Sequence, residues 1–112
     1  TDRPTRFLAT EIVREKIFRL SGDEVPYGCT VEIEQFQEDG KMYRIAAAIL
    51  VERDAHKAML IGKDGERLKR IASESRVEME RLFGCKVFLE VWIKVRQGWA
   101  DSESSLRKLG YE

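Results

Sequence analysis

The residues best suited to chemistry are Gly62-Lys63-Asp64-Gly65, set between an apolar stretch that ends at Ile61 and a segment of helical pattern that begins near Glu66. Two glycines three apart permit positive φ and close backbone approach. They can leave loop N–H groups bare at the N-terminus of the following helix, an end that carries partial positive charge and suits a phosphate. Lys63 adds a cation at the tip, while Asp64 puts a carboxylate beside it. As an exposed tip, the loop should accept Gly62→Asp and Lys63→Asp together without harm to the fold, at the expense of phosphate binding.

Other chemistry is poorly provided for. His56 is the only histidine, and Cys29 and Cys85 stand apart with no CxxC, so a zinc site or a histidine-based triad has no ligands to draw on. The cysteines read as free thiols of a reducing compartment. There is no GxxxxGK[ST] phosphate loop, GxSxG or HExxH. This chain is therefore read as a binding module with no enzymatic activity, cofactor or metal of its own.

Charge supports that reading only locally. The 112 residues carry 20 Lys and Arg against 20 Asp and Glu. Residues 53–76 hold seven basic residues (Arg53, Lys57, Lys63, Arg67, Lys69, Arg70, Arg76) against four acidic ones, whereas residues 1–42 hold six against nine. The basic excess thus surrounds the glycine loop. With 43% apolar and 36% charged residues the composition is that of one globular domain spanning 1–112. Opening on Thr1 rather than Met, it reads as a piece of a longer protein.

The elements that must hold the loop follow from periodicity. Residues 5–20 predict an amphipathic helix with Leu8, Ala9, Ile12, Val13, Ile17 and Leu20 inward and Glu11, Arg14, Glu15 and Lys16 outward. Residues 29–38 alternate as a half-buried strand, Asp39-Gly40 signals a hairpin, and residues 43–52 form the second strand despite three successive alanines. Asp54 caps a short helix, Ala55 to Ile61. A long helix from about Gly65 to Phe83 buries Leu68, Ile71, Ala72, Ser75, Met79 and Leu82, with Gly84 past its end. Residues 86–96 are a third strand with Val87, Leu89, Val91, Ile93 and Val95 inward. Asp101 caps a last short helix bearing Leu106 and Leu109. The order α–β–β–α–GxxG–α–β–α predicts an α+β fold. Its three-stranded mixed sheet has the first two strands antiparallel, the third parallel to the second, and helices on one face.

In that frame the glycine loop is one wall of a groove. Its floor is the second strand and the long helix, and the backbone near Ala46 to Leu50 would read bases. Aliphatic floors pack against splayed bases while loop amides hold the backbone, so the ligand class is single-stranded nucleic acid. Lys63, Arg67 and Lys69 are the candidate phosphate contacts, Arg53 and Lys57 belong to the same basic surface, and Leu68 lies beside the loop. The Gly62 and Gly65 amides should respond first to a bound strand, RNA or DNA.

GxxG between two helices resembles the KH signature. The whole chain is similar to the C-terminal KH domain of the bacterial Era GTPase family. The likeness runs through Thr1-Asp2-Arg3, Glu11-Ile12-Val13-Arg14-Glu15-Lys16, Pro26-Tyr27, Val51-Glu52-Arg53, Ile61-Gly62-Lys63-Asp64-Gly65, Leu68-Lys69-Arg70-Ile71, Trp92-Ile93-Lys94-Val95, Gly98-Trp99 and Leu109-Gly110-Tyr111. The resemblance implies a type II KH fold with RNA binding at Gly62, Lys63 and Gly65, and with Ile61 and Ile71 lining the groove. It implies a partner near the 3′ end of small-subunit ribosomal RNA, a role in small ribosomal subunit assembly, and a cytoplasmic place with peripheral association at the inner membrane. It also implies an N-terminal GTPase domain, with GTP and Mg, that is not in this chain. Asp64 and Ala72 depart from the family pattern. The alternatives are another type II KH protein of the small ribosomal subunit, or a KH-shaped protein-interaction module docking through the first helix, Phe88 and Trp92.

Overall fold

The structure, a computed structural model, describes residues 2–22 and 29–96. Helix α1 spans Asp2–Ser21, strand β1 Thr30–Asp39, strand β2 Met42–Val51, helix α2 Asp54–Ile61, helix α3 Glu66–Phe83 and strand β3 Lys86–Val95. The sheet order is β1-β2-β3, with β1 antiparallel and β3 parallel to β2. This is the α+β arrangement expected. The final helix and the loop at Pro26-Tyr27-Gly28 fall outside the described residues.

One face of the sheet carries the core. Ile45, Ala47, Ile49 and Val51 of β2 and Val87 and Ile93 of β3 pack against Ile12, Val13 and Ile17 of α1, Leu60 of α2, and Ile71 and Met79 of α3. Helix α1 lies over β1 and helix α3 over β3, with the two helices in contact above the central strand. Ala47, at 0% exposure, sits where their seam meets β2. A small side chain there lets both helices approach the sheet, which accounts for Ala47; Ala46 and Ala48 point to the opposite face.

Five local expectations fail. The alternation of β1 slips at a bulge between Ile33 and Gln35, so the inward set is Val31, Ile33 and then Phe36. Asp54 occupies the first turn of α2 rather than its cap, which is Arg53 with no side-chain bond to the helix. Leu8 and Leu82 are exposed, at 40% and 53%. Leu8 lies about one residue's rotation, ~100°, off the stripe formed by Ala9, Ile12, Val13 and Ile17. At the end of α3, Met79 and Phe83 make the core contacts, and Leu82, in the last turn, makes none although it is in line with Ile71 and Ser75. Lys16, placed on the outer side by its charge, is buried at 3% exposure and bonds Glu15 and Glu78.

Candidate nucleic-acid interface

The loop is built from three positive-φ residues in four. The Gly62 N–H closes α2 on the Ala58 carbonyl at 3.0 Å. Gly62 then takes φ 75°, ψ −179°, a region open essentially to glycine alone. It is also pressed against the next helix: a Cβ there would lie 2.7 Å from Arg67 Cβ and 3.1 Å from the Arg67 nitrogen. Gly62→Asp therefore damages the corner itself, against the expectation of an indifferent tip. Asp64 (φ 57°, ψ 25°) and Gly65 (φ 75°, ψ 9°) are both left-handed. Aspartate is among the few side chains at ease there, which gives Asp64 a backbone reason to stand in a loop otherwise suited to anions. Gly65 has open space around it and needs glycine only for its φ.

Hydrogen bonding decides which amides are open. Gly65 N–H donates to the Gly62 carbonyl at 3.2 Å and Glu66 N–H donates to the Lys63 carbonyl. Gly62 and Gly65 are therefore engaged, contrary to their expected role as first responders. The Lys63 and Asp64 N–H groups find no acceptor among the described residues and lie at the tip, next to the exposed Lys63 side chain. Helix α3 begins behind them without a side-chain cap, so its positive end reinforces the same spot.

The two flanks of α3 differ. Arg67, Arg70, Glu74 and Glu78 face α1: Glu78 bonds Lys16, and Arg67 and Arg70 share with Leu20 a recess of about 240 Å³ behind Lys63. At ~100° per residue, Lys69, Ala72 and Arg76 fall on the opposite flank. Arg76 bonds Glu80 at 2.9 Å, and Glu80 accepts from the Val87 N–H at 3.0 Å. That chain of bonds fixes the flank as the one overlooking β3. Glu80 is held below the usual carboxylate range, first by the Val87 amide and then by Arg76.

The floor expected on β2 is not available to a ligand. Strand β2 is central, hydrogen-bonded to neighbours on both sides, and Ala46 to Leu50 are at most 5% exposed. Its backbone has nothing left to read a base with. The strand with an unpaired edge beside α3, among the described strands, is β3. The pairing expected from the sequence, with the first and third strands on either side of the second, already implies this, yet the expected floor gave base reading to β2.

Of the remaining candidates, Ile61 and Leu68 are half-buried against the core. Ile71 is fully buried and presents no surface to a ligand, contrary to its expected place in the groove lining. Arg53, Lys57, Lys63 and Lys69 are exposed, and none has a carboxylate within ion-pair distance among the described residues. Arg67 is half-buried, its guanidinium turned onto Met59. Among the described residues no cluster could hold a metal ion, and no helix is long and apolar enough to cross a membrane.

Known proteins share this arrangement. GTPase Era of Stenotrophomonas maltophilia is 59% identical over 112 residues, 100% of this chain and 38% of the relative. GTPase Era of Bordetella petrii matches equally, at 59% over the same 112 residues. The chain thus spans 38% of the length of the curated relatives it matches. Among solved structures, Aquifex aeolicus Era bound to GDP and AlF4⁻ is 40% identical with TM-score 0.81, covering 99% of this chain and 38% of that one. Era in complex with MgGDPNP and nucleotides 1506–1542 of 16S ribosomal RNA matches with the same identity, TM-score and coverage. The KH domain family matches residues 24–100. With its glycine loop between two helices and its three-stranded mixed sheet, the chain belongs to the KH domain family.

Proposed function

We propose that this chain is the RNA-binding KH domain of an Era-type GTPase, and that it grips a short single strand near the 3′ end of small-subunit ribosomal RNA during small-subunit assembly. The observation that carries the reading is the corner at Lys63 and Asp64, where two open amides, an unpaired lysine and the positive end of α3 converge. The phosphate rests there. The strand runs between the Lys69–Ala72–Arg76 flank of α3 and the edge of β3, with Ile61 and Leu68 at its inner side. Gly62 and Gly65 shape the loop, and Arg53 and Lys57 extend the basic surface along α2. The RNA's identity rests on the likeness to an Era that was solved with nucleotides 1506–1542 of 16S ribosomal RNA.

In this reading residues 1–112 are one domain. GTP hydrolysis, with its GTP and Mg, belongs to the part of the relatives that this chain does not match, and that GTPase domain is its covalent partner. A cytoplasmic place on the small subunit follows from the function. Peripheral contact with a membrane rests on the family resemblance alone.

The test is a competition titration with an unpaired oligonucleotide from the 3′ end of small-subunit ribosomal RNA against a scrambled one of equal length. The ribosomal sequence should win, with the Lys63 and Asp64 amide resonances moving first. About three phosphate contacts on a single strand give a slope near −2 in log K against log salt. Equal affinity for both oligonucleotides removes the ribosomal assignment. Shifts confined to α1, Phe88 and Trp92 point instead to a protein-docking module.

A further inference from the structure

We propose that Arg67 is a positioning residue, holding the loop in its phosphate-ready shape, and is not itself a phosphate contact. Its effect on RNA rests on the binding reading above; its effect on the loop does not. Helix α2 ends at Ile61 with no basic residue in its last turn, so its last carbonyls and negative dipole end lack their usual partner. The Ala58 carbonyl is taken by Gly62 N–H. The Met59 carbonyl accepts from Arg67 Nη1 at 3.4 Å, and the same nitrogen lies 3.2 Å from Met59 Sδ. Arg67 thus supplies, from across the loop, the cation that α2 lacks.

Its stem completes the brace. Arg67 Cβ packs so close to Gly62 that a Cβ there would lie 2.7 Å away. The head fastens the last turn of α2 and the stem covers the first glycine, so the four loop residues are spanned by one side chain. By helix rules Arg67 is badly placed, a cation in the first turn of α3 where the dipole disfavours it. The bond to α2 offsets that cost. A phosphate bound at the Lys63 and Asp64 amides would meet a corner already held in shape, which spares the ordering cost of binding.

The test uses the 112-residue chain with Arg67→Gln, and with Arg67→Lys as a second variant. In the free protein, hydrogen exchange at the Gly62 and Gly65 amides should accelerate by about tenfold relative to amides of β2, the signature of a locally loosened corner. RNA affinity should fall by about tenfold with the slope of log K against log salt unchanged, whereas loss of a phosphate contact flattens it by about 0.7. Arg67→Lys keeps the charge without the planar fork and should stay weak. A flattened slope, restoration by Arg67→Lys, or unchanged exchange at Gly62 and Gly65 overturns the proposal. Lys63→Ala is the control that shows the slope can move. If the unaltered chain binds no RNA, the function reading falls while the exchange measurement still decides the brace.

Discussion

The seam between α1 and α3 and the corner between α2 and α3 use the same residue types to opposite ends. In the seam, Lys16 is buried between Glu15 at 2.6 Å and Glu78, and Arg70 bonds Glu74 at 2.8 Å. Burial alone would lower the Lys16 pKa, but its bonds to Glu15 and Glu78 outweigh that and raise it. At the corner, Lys57, Lys63 and Lys69 are exposed without carboxylate partners among the described residues, and the shape is set by the glycine backbone with Arg67 across it. Charge closed within the fold contributes to stability. Charge left open at a rigid corner is available to a ligand. A count of lysines and arginines cannot tell the two apart; the partners can. The furrow along the seam, about 390 Å³ and lined by Lys16, Glu74, Glu78 and Arg81, is thus a by-product of helix packing whose charges answer one another.

The sharpest way to break the comparison is at Gly62, where the corner should fail through backbone rather than charge. Gly62→Ala must hold φ 75°, ψ −179° with a side chain and push its Cβ into Arg67. Strain and overpacking together should lower the unfolding free energy by about 3 kcal/mol in urea denaturation. A loss near zero would mean that the loop relaxes freely and is not a preformed site.

The seam should answer to charge instead. Glu78→Gln leaves buried Lys16 with Glu15 alone, and should destabilise by about 2 kcal/mol at pH 7. Lys16 bonding holds the Glu78 carboxyl below its ordinary range. A depressed folded pKa contributes stability that is present above the unfolded value and lost as pH falls through the folded one. The gap between the two proteins should therefore be flat above about pH 5.5 and close as pH falls below about 4. Unfolding curves across that range check it, and a gap that widens on acidification contradicts the assignment. The Lys16 contribution, with its pKa raised, holds at neutral pH and is lost only as pH rises through that raised value.

Gly65→Ala sharpens the contrast within the corner. Its φ of 75° is left-handed but nothing lies within 4 Å of the added carbon. The loss should be about 1 kcal/mol, a fraction of that at Gly62. Equal losses at the two glycines would show that Arg67 does not press on the first of them.

These differences mark what a sequence can disclose. The order of elements, the hairpin at Asp39-Gly40 and the inward set of β3 were legible, because each depends on local periodicity or turn chemistry. The glycine loop was legible as a phosphate site, yet not which amides would be open. That depends on Gly65 and Glu66 folding back onto the preceding carbonyls. The charge of Lys16 points outward in the sequence while its spacing, four residues from both Ile12 and Leu20, places it on the buried stripe. An apolar residue near a loop, such as Ile71, looks alike in sequence whether it faces a ligand or the core. The exchange of β2 for β3 as the open strand follows from pairing on both sides of β2, which the order of elements already implies.

The smallest effect on stability should come from Lys63→Ala, and it tests the comparison most directly. Lys63 is exposed, without an ion-pair partner among the described residues. Its removal should change the unfolding free energy by no more than about 0.5 kcal/mol. RNA binding should respond differently. One lost phosphate contact flattens the salt slope by about 0.7, from near −2 to near −1.3. Because a phosphate contact positions the strand without reading it, affinity for the ribosomal and the scrambled oligonucleotide should fall by the same factor. A change in their ratio would give Lys63 a part in base recognition, and a large loss of stability would place it with the closed charges of the seam.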